Sequence, residues 1–536
     1  MSVAVTEILR ANRPPSPAGR ADKHLGNVAR DLRRLLEQTH RDFANRAVAW
    51  PEAALGDLAV VLVEFAEDVH TDAGLWRSLE AHNRELFGTP LPLTVGVDTM
   101  NGIERFDPRR IHHLLWTLWM NLEVMPSPAH PNLLALAEVA GKFLAERFAG
   151  TPVDSGVKNF LAGSSQFGWD IKRKLIWLGT KSYLFRLLFA QAVTDRKEGA
   201  TVGVIDDFIC QESTVWSGLG AIDILAGALD VSAEDRATLR TWYERHLALY
   251  RVLSRQDRDG ETEFITVRNV VNGQLYTVRM NVPNCPFQPG MVVRGALTPW
   301  RGEWYWSGHQ RPYPNLPEHE EANLRREMLE KHSGIAYRYC PTEAAAAREA
   351  NRKQYADFVG YYGGDLMVYA DGLALAAAEQ QRLEAQWRAV DQEQVRRLMK
   401  ERGLTQPRPP MHFPRAFLDH DQGIGAFYNA HEGQEYMLGF NHVLSGLRKQ
   451  GEGLSDAERD ALAHFVTDHA VSPAFVDRLV REHGAASLVE TFQLRRLPAE
   501  LALAFLLRCH KGHFCRNRYP SLSLVEGGRK QNEPGK

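Results

Sequence analysis

A short run of cysteine and histidine residues stands near the end of the chain, in "RCHKGHFCRNRYPSLSL". Cys509, His513 and Cys515 form the pattern C-x-x-x-H-x-C, and thiolates and imidazoles are the ligands that zinc prefers. A structural zinc site normally needs four such ligands in two separated pairs, and the nearest other cysteine is Cys340. Reduced cysteines at the end of the apolar helix "AELALAFLLRC" are therefore the favoured interpretation, and no bound cofactor is expected.

The same stretch is strongly basic. Between residues 495 and 530, eight basic residues oppose two glutamates, a local excess of six. Arginine binds phosphate oxygens and nearby aromatic rings stack on bases, so the pattern favours a docking or phosphate-contacting surface. A solvated basic tail fits equally well. The candidate residues here are Arg495, Arg496, Arg508, Lys511, Arg516 and Arg518.

A second basic and aromatic segment is "WDIKRKLIWLGTKSYLFR". At helical spacing, Ile171, Leu175 and Leu178 form one apolar stripe, with the charges to one side. An amphipathic helix whose lysines extend along its surface is favoured over a nucleic-acid contact. The candidate residues are Lys172, Arg173, Lys174 and Lys181.

Two groups of carboxylates could do metal chemistry. Asp206 and Asp207 follow the apolar run "VGVI", so they could project from the end of a strand and, with Glu212, bind a divalent cation; a helix N-cap explains them equally well. Glu67 and His70 form an E-x-x-H pair, but no second copy follows, so a polar helix face is favoured.

Composition narrows the class of protein. The 536 residues are 44% hydrophobic and 24% charged, with a net charge of −2, so no global positive field attracts nucleic acid or membranes. The five cysteines are scattered and odd in number, which favours a reducing cytoplasm. Neither a signal peptide nor a membrane span is expected.

Periodicity predicts a mainly α, multidomain α+β protein with a small all-β barrel in the middle, SH3-like or OB-like. Five short β-rich runs lie between residues 250 and 308, and Asn272-Gly273 predicts a hairpin turn between two of them. Trp304 and Trp306 are candidate binding residues on an aromatic edge. The proline-containing start of the chain is predicted to be mobile. The predicted domains are 1–240 (helical), 248–310 (barrel), 318–405 (helical) and 411–525 (α+β).

Five strings carry a resemblance to a known group of proteins: "FGWDIKRKLIWLG", "DDFICQESTVWSGLG", "LRTWYERHLALYRVL", "GEWYWSG" and "HFCRNRYPSLSL". They resemble those of large uncharacterised bacterial proteins related to SEC-C motif-containing proteins. This chain lacks the C-x-C that opens a SEC-C motif, so its zinc site cannot be carried over. The resemblance implies a bacterial cytoplasmic protein and no particular reaction.

These patterns lead to one functional hypothesis and one alternative. The leading hypothesis is a binding or scaffold protein that contacts nucleic acid or a protein partner through its basic and aromatic surfaces. The alternative is a metal-dependent hydrolase or nuclease that uses Asp206, Asp207 and Glu212. Phosphate-loop and Rossmann motifs are absent, so the sequence identifies no small-molecule ligand and favours a protein without catalytic activity.

Overall fold

The computed structural model describes the larger part of the chain: residues 5–41, 54–91, 104–119, 130–195, 199–211, 219–331, 340–389, 391–402, 412–494, 499–511 and 520–525. The chain divides into two compact units. The first unit comprises Met1–Cys340 and Arg496–Arg516, and the second comprises Pro341–Arg495 and Asn517–Lys536. The predicted helical region 1–240 and sheet region 248–310 thus share one unit, whereas the predicted segment 318–405 is divided between both.

The first unit is mainly helical. Its described helices are α1 (Val5–Ala11), α2 (Asp22–Arg41), α3 (Leu55–Thr71), α4 (Leu75–Phe87), α5 (Pro108–Trp119), α6 (Pro131–Phe148), α7 (Gly156–Ala162), α8 (Gly168–Lys181), α9 (Arg186–Asp195), α10 (Val202–Gln211), α11 (Ala221–Ala228), α12 (Ala233–Arg240), α13 (Glu318–Lys331) and α22 (Ala499–Lys511). No helix in the described part of the chain is long and apolar enough to cross a bilayer.

Helix α3 is the most deeply buried element of this unit. Apart from Asp57 and Val69, all of its residues are buried, so its polar side chains must find partners inside the protein. One of them, Asp68, accepts hydrogen bonds from the backbone N–H groups of Leu75 and Trp76, at 3.0 and 2.7 Å. Asp68 therefore pairs two backbone N–H groups in the first turn of α4 that have no partner within the helix, and it joins α3 to α4.

Five strands follow the helices: β1 (Ala248–Arg258), β2 (Glu261–Asn269), β3 (Leu275–Pro283), β4 (Val292–Trp300) and β5 (Glu303–Tyr313). They are ordered β1-β2-β3-β5-β4, and β4 pairs with β1 as well as with β5. The contact between β3 and β5 is one parallel pair, Val278 with Trp304. Gly273, at φ +77°, turns the chain between β2 and β3, as predicted. The prediction of a mainly helical protein with a five-stranded sheet in the middle is confirmed.

The second unit is built on four short strands: β6 (Leu366–Tyr369), β7 (Ile424–Asn429), β8 (Gly433–Leu438) and β9 (Ser521–Val525). They lie in this order; β6-β7 and β7-β8 are antiparallel, and β8-β9 is parallel. The stretch "GIGAFYNAHEGQEYMLGF" forms the hairpin of β7 and β8. Strand β6 was not predicted, because its four residues pair with a strand more than fifty residues further along the chain.

The described residues of the second unit also form helices. They are α14 (Pro341–Tyr362), α15 (Gly372–Ala389), α16 (Gln392–Arg402), α17 (Arg415–Leu418), α18 (Phe440–Arg448), α19 (Asp456–Thr467), α20 (Pro473–His483) and α21 (Ala486–Thr491). Phe427 of β7 stacks on Phe475 of α20 with ring centroids 4.7 Å apart. A capping box of Ser455 and Glu458 begins α19, and Ser472 caps α20.

Candidate functional site

Asp206 and Asp207 lie on helix α10, not at the end of a strand. Both predicted positions, a strand end and a helix N-cap, were wrong because the short apolar run "VGVI" forms the first turn of an amphipathic helix, and a run of that length does not distinguish helix from strand. Val204 and Phe208 face the core, and so does Asp206, with 2% of its surface exposed. Glu212, the third member of the predicted catalytic group, lies outside the described residues.

Asp206 is the centre of a buried ion cluster that joins three elements. Its carboxylate binds Lys172 of α8 and Arg245, which follows a short 3₁₀ helix, and accepts a hydrogen bond of 2.8 Å from the Ser307 hydroxyl of β5. Lys172 also donates to Ser307, at 2.7 Å. These four residues, Lys172, Asp206, Arg245 and Ser307, are called the Asp206 cluster below.

Two cations surround one carboxylate in this cluster, and this excess of positive charge lowers the pKa of Asp206. Burial alone raises the pKa of the carboxyl, but the charges and hydrogen bonds of Lys172 and Arg245 outweigh burial, so the pKa lies below its ordinary value. Arg245 also binds Asp207. A divalent cation would therefore have to displace two positively charged side chains from Asp206, so the arrangement is suited to holding α8, α10 and β5 together.

The four basic candidates of α8 have different surroundings. The predicted apolar stripe is confirmed, since Ile171, Leu175 and Leu178 are buried. Lys172 belongs to the Asp206 cluster. Arg173 and Lys181 are exposed, and are the two members of this set that a partner can reach directly.

Lys174 is the fourth basic candidate of α8, and it is buried. Its ammonium group donates to the Gly163 carbonyl at 2.7 Å and to the Ser165 hydroxyl at 2.9 Å. Burial lowers the pKa of Lys174 to about 8. This lysine holds the loop before α8 against the helix.

Trp304 and Trp306 pack on the core of the five-stranded sheet. The ring of Trp304 lies 4.7 Å from Tyr276, and that of Trp306 lies 5.7 Å from Tyr250. Both tryptophans are half-buried. Both tryptophans are therefore part of the core of the sheet, and only the exposed part of each ring is accessible to a ligand.

The basic stretch at the C-terminus is described in part. On α22, Arg508 Nη2 lies 3.1 Å from His82 Nε2 of α4, and Lys511 is buried. Burial, reinforced by the charge of Arg508, lowers the pKa of His82 to about 4, so the neutral imidazole accepts this hydrogen bond. Arg495, Arg496, Arg516, Arg518, His513 and Cys515 lie outside the described residues, as does the side chain of Cys509, so the predicted zinc and phosphate contacts stay predictions.

Glu67 and His70 do not converge on a common point. Arg13 donates to both oxygens of Glu67, with Nη2 at 2.8 Å from Oε1, and His70 Nε2 lies 2.7 Å from the Thr151 carbonyl oxygen. Across the described residues, no three His, Cys, Asp or Glu side chains are grouped to hold a metal ion. Arg13 was missed at the sequence level because it lies in the segment predicted to be mobile.

An accessible surface that the sequence did not single out is the outward face of β1, β2 and β3, called the outer sheet face below. Its side chains alternate with the buried core residues of the same strands. Leu275 is 61% exposed, and the guanidinium of Arg279 lies 4.4 Å from the ring centre of Phe264 and 2.6 Å from Glu303 Oε2. The register places nine residues on this face: Arg251, Ser254, Gln256, Phe264, Thr266, Arg268, Leu275, Thr277 and Arg279.

Comparison with known proteins gives one partial match. A model of a family described as "Protein of unknown function (DUF3843)" matches residues 50–198 of the 536. The matched stretch includes α3 and α8, and excludes Asp206 and the five-stranded sheet. No curated protein and no solved structure matches the chain. The family model does not bear on the resemblance to SEC-C-related proteins, which stays a prediction.

Proposed function

We propose that the chain is a cytoplasmic binding or scaffold protein whose five-stranded sheet, a small barrel of the SH3-like or OB-like class, presents the outer sheet face to a partner protein. The observation that carries the proposal is the composition of that face: exposed leucine and hydroxyl side chains beside a phenylalanine and an arginine. Exposed apolar side chains set among polar ones are typical of sites that bind other proteins.

The attachment of the sheet to the helices supports a scaffold role. The Asp206 cluster binds β5 to α8 and α10, and Arg301, in the turn between β4 and β5, donates to Asp235 of α12 at 2.7 Å. The buried ion pairs of Asp206 hold their elements in one geometry, because separating the charges leaves them buried without a counter-ion. The outer sheet face is thus a preformed surface.

A protein partner fits this face better than nucleic acid. Affinity for a phosphate backbone comes from cations that neutralise phosphates. On the outer sheet face, Arg279 is already paired with Glu303 and Arg251 with Glu321, and Arg268 is the third arginine. Exposed Leu275 instead offers apolar contact. An extended protein segment with apolar side chains and a carboxylate for Arg268 matches this chemistry.

Only some of the described basic residues predicted to contact nucleic acid are exposed. Among these residues, Arg173 and Lys181 are exposed, whereas Lys174 and Lys511 are buried. The alternative of a metal-dependent hydrolase or nuclease receives less support, because the Asp206 carboxylate already has two cationic partners.

Site-specific photocrosslinking tests the proposal. The full-length protein is produced in its native cells with benzoylphenylalanine in place of Leu275 or, as a control of similar exposure, Val153 (53% exposed). The expected result is a discrete protein adduct at position 275 that is absent at position 153. Introducing Arg268→Glu should reduce the adduct. Adducts that are identical at both positions, or that contain only nucleic acid, would overturn the proposal.

A further inference from the structure

A cavity of about 400 Å³ lies between helices α1 and α2, in the segment predicted to be mobile. Thr6, Leu9 and Arg10 of α1 form one wall, and Lys23 and Asn27 of α2 form another. The volume falls within the range of sites that bind small molecules. It is called the Arg13 cavity below, because Arg13 forms its inner end.

The lining combines positive charge with apolar surface. Three cations line the cavity, Arg10, Arg13 and Lys23, against one carboxylate, Asp22. Arg10 and Lys23 are exposed, whereas Arg13 is held inside by Asp22 and Glu67. The buried side chains of Leu9 and Leu25 supply apolar contact. An anionic group can therefore lie between Arg10 and Lys23 while an apolar body contacts the leucines.

Asp22 fixes the shape of this cavity. One of its carboxylate oxygens accepts a hydrogen bond of 2.9 Å from the backbone N–H of Gly156 and another from Gly19, while the other oxygen pairs with Arg13. The loop between α1 and α2 is thus bound to α7 by a carboxylate that is already satisfied. Asp22 is occupied by these structural contacts, and it shares the charge of Arg13 with Glu67.

A second, smaller cavity of about 20 Å³ lies behind Arg13 and is lined by Glu64, Glu67, Asp68 and Tyr183. This is room for one water molecule among polar groups. Arg13 contacts both cavities, so it separates the outer, cationic space from the buried carboxylates. Without Arg13, a bound anion would face the carboxylates of α3, and the repulsion would weaken binding.

We propose that the Arg13 cavity is a binding site for a small organic anion, one that carries a phosphate or carboxylate group on an apolar body. The site is distinct from the outer sheet face and does not depend on the proposed scaffold function. Phosphate and carboxylate share the chemistry that Arg10 and Lys23 recognise, and the experiment below separates them.

Ligand-observed NMR on the full-length protein tests this inference with three probes of one shape: phenyl phosphate, benzoate and benzyl alcohol. We expect saturation transfer to at least one of the two anions and much less to the neutral alcohol. A preference for phenyl phosphate identifies the ligand class as phosphorylated, and a preference for benzoate identifies it as a carboxylate. Equal transfer to all three probes, or no transfer to either anion, would show that the inference is wrong.

Variants assign the binding to the cavity. Arg10→Ala combined with Lys23→Ala removes two exposed cations, and we expect the affinity for the anion to fall about tenfold or more. Arg34→Ala is the matched control, because Arg34 is exposed on the same helix and lies outside the lining. Asn27→Trp should block binding by filling the cavity while circular dichroism stays unchanged. Binding by the double variant at the level of Arg34→Ala would contradict the assignment.

Discussion

Asp206 on α10 and Glu67 on α3 are carboxylates of nearly equal burial, with 2% and 1% of their surfaces exposed. Their pKa values nevertheless move in opposite directions. Burial raises the pKa of Glu67 more than the charge of Arg13 lowers it, whereas Lys172 and Arg245 together bring the pKa of Asp206 below its ordinary value. The number of cations beside a buried carboxylate, and not burial alone, decides the direction in which its pKa moves.

The neighbours of Glu67 extend this contrast. Glu64 and Asp68 lie on the same helix and also have raised pKa values, because burial outweighs Arg186 at Glu64 and outweighs the hydrogen bonds from Tyr183 and the α4 backbone at Asp68. Glu64 and Glu67 are each paired with one arginine and Asp68 is held by hydrogen bonds, whereas one carboxylate in the Asp206 cluster has two cations. The first arrangement favours proton binding in the folded state, and the second favours the ionised carboxylate.

The largest predicted effect concerns the Asp206 cluster. Asp206→Ala leaves Lys172 and Arg245 without their shared carboxylate, at side-chain exposures of 16% and 12%. We expect the free energy of unfolding of the first unit to fall by about 4 kcal/mol at pH 7. Urea denaturation followed by tryptophan fluorescence measures it, since the Lys172 ammonium lies 5.9 Å from the Trp242 ring. A loss of less than about 1 kcal/mol would contradict a buried ion cluster.

The second prediction is a pH dependence of opposite sign in the two regions. In the intact protein, the lowered pKa of Asp206 contributes stability above pH 3.8 that is lost as the pH falls through the folded-state pKa. The raised pKa of Glu67 means that the folded state binds more protons than the unfolded state above pH 4.5. The contribution of Glu67 to the free energy of unfolding therefore decreases as the pH rises from 4.5 through the folded-state pKa.

Arg13→Ala makes this difference measurable. It leaves Glu67 buried without its guanidinium, and we expect a loss of about 3 kcal/mol at pH 8. The loss should shrink toward pH 5, because Glu67 takes up a proton, whereas the loss in Asp206→Ala should persist, since lysine and arginine stay charged. Arg20→Ala is the control, with a side chain that is 75% exposed, and should show a small effect. A pH-independent loss in Arg13→Ala would be inconsistent with this account.

The smallest effect is predicted for Asp207, the sequence neighbour of Asp206. Asp207 also binds Arg245, but its side chain is 41% exposed. Because solvent screens exposed ion pairs, Asp207→Ala should lower the free energy of unfolding by less than about 1 kcal/mol in the same urea experiment. Equal losses of unfolding free energy in Asp207→Ala and Asp206→Ala would show that the difference in burial does not determine how much each aspartate stabilises the protein.

Local features could be predicted from the sequence because neighbouring residues carry their signal. The stripe of Ile171, Leu175 and Leu178 repeats at helical spacing, and Asn272-Gly273 marks a tight turn; both predictions are confirmed. Even Asp206 was recognised as chemically notable. Its secondary structure was misassigned, since four apolar residues suit a helix and a strand alike.

Partners far apart in the chain could not be predicted in the same way. Asp206 meets Lys172, Arg245 and Ser307, which are separated from it by 34, 39 and 101 positions. Arg13 lies 54 positions from Glu67, in a proline-containing segment whose composition suggested mobility. No spacing rule links such residues, because their contacts depend on how whole elements pack.

By itself, the sequence determined the class of structure: mainly helical, with a β-rich region between residues 248 and 310 and several helix caps and turns. Hydrophobic periodicity and turn chemistry act over a few residues, so these features can be seen in short windows. Tertiary structure decided which charged residues are exposed and which are buried in ion pairs. That difference turns Lys172 and Arg13 from apparent surface cations into internal counter-charges, because electrostatic partners are set by distance in space and not along the chain.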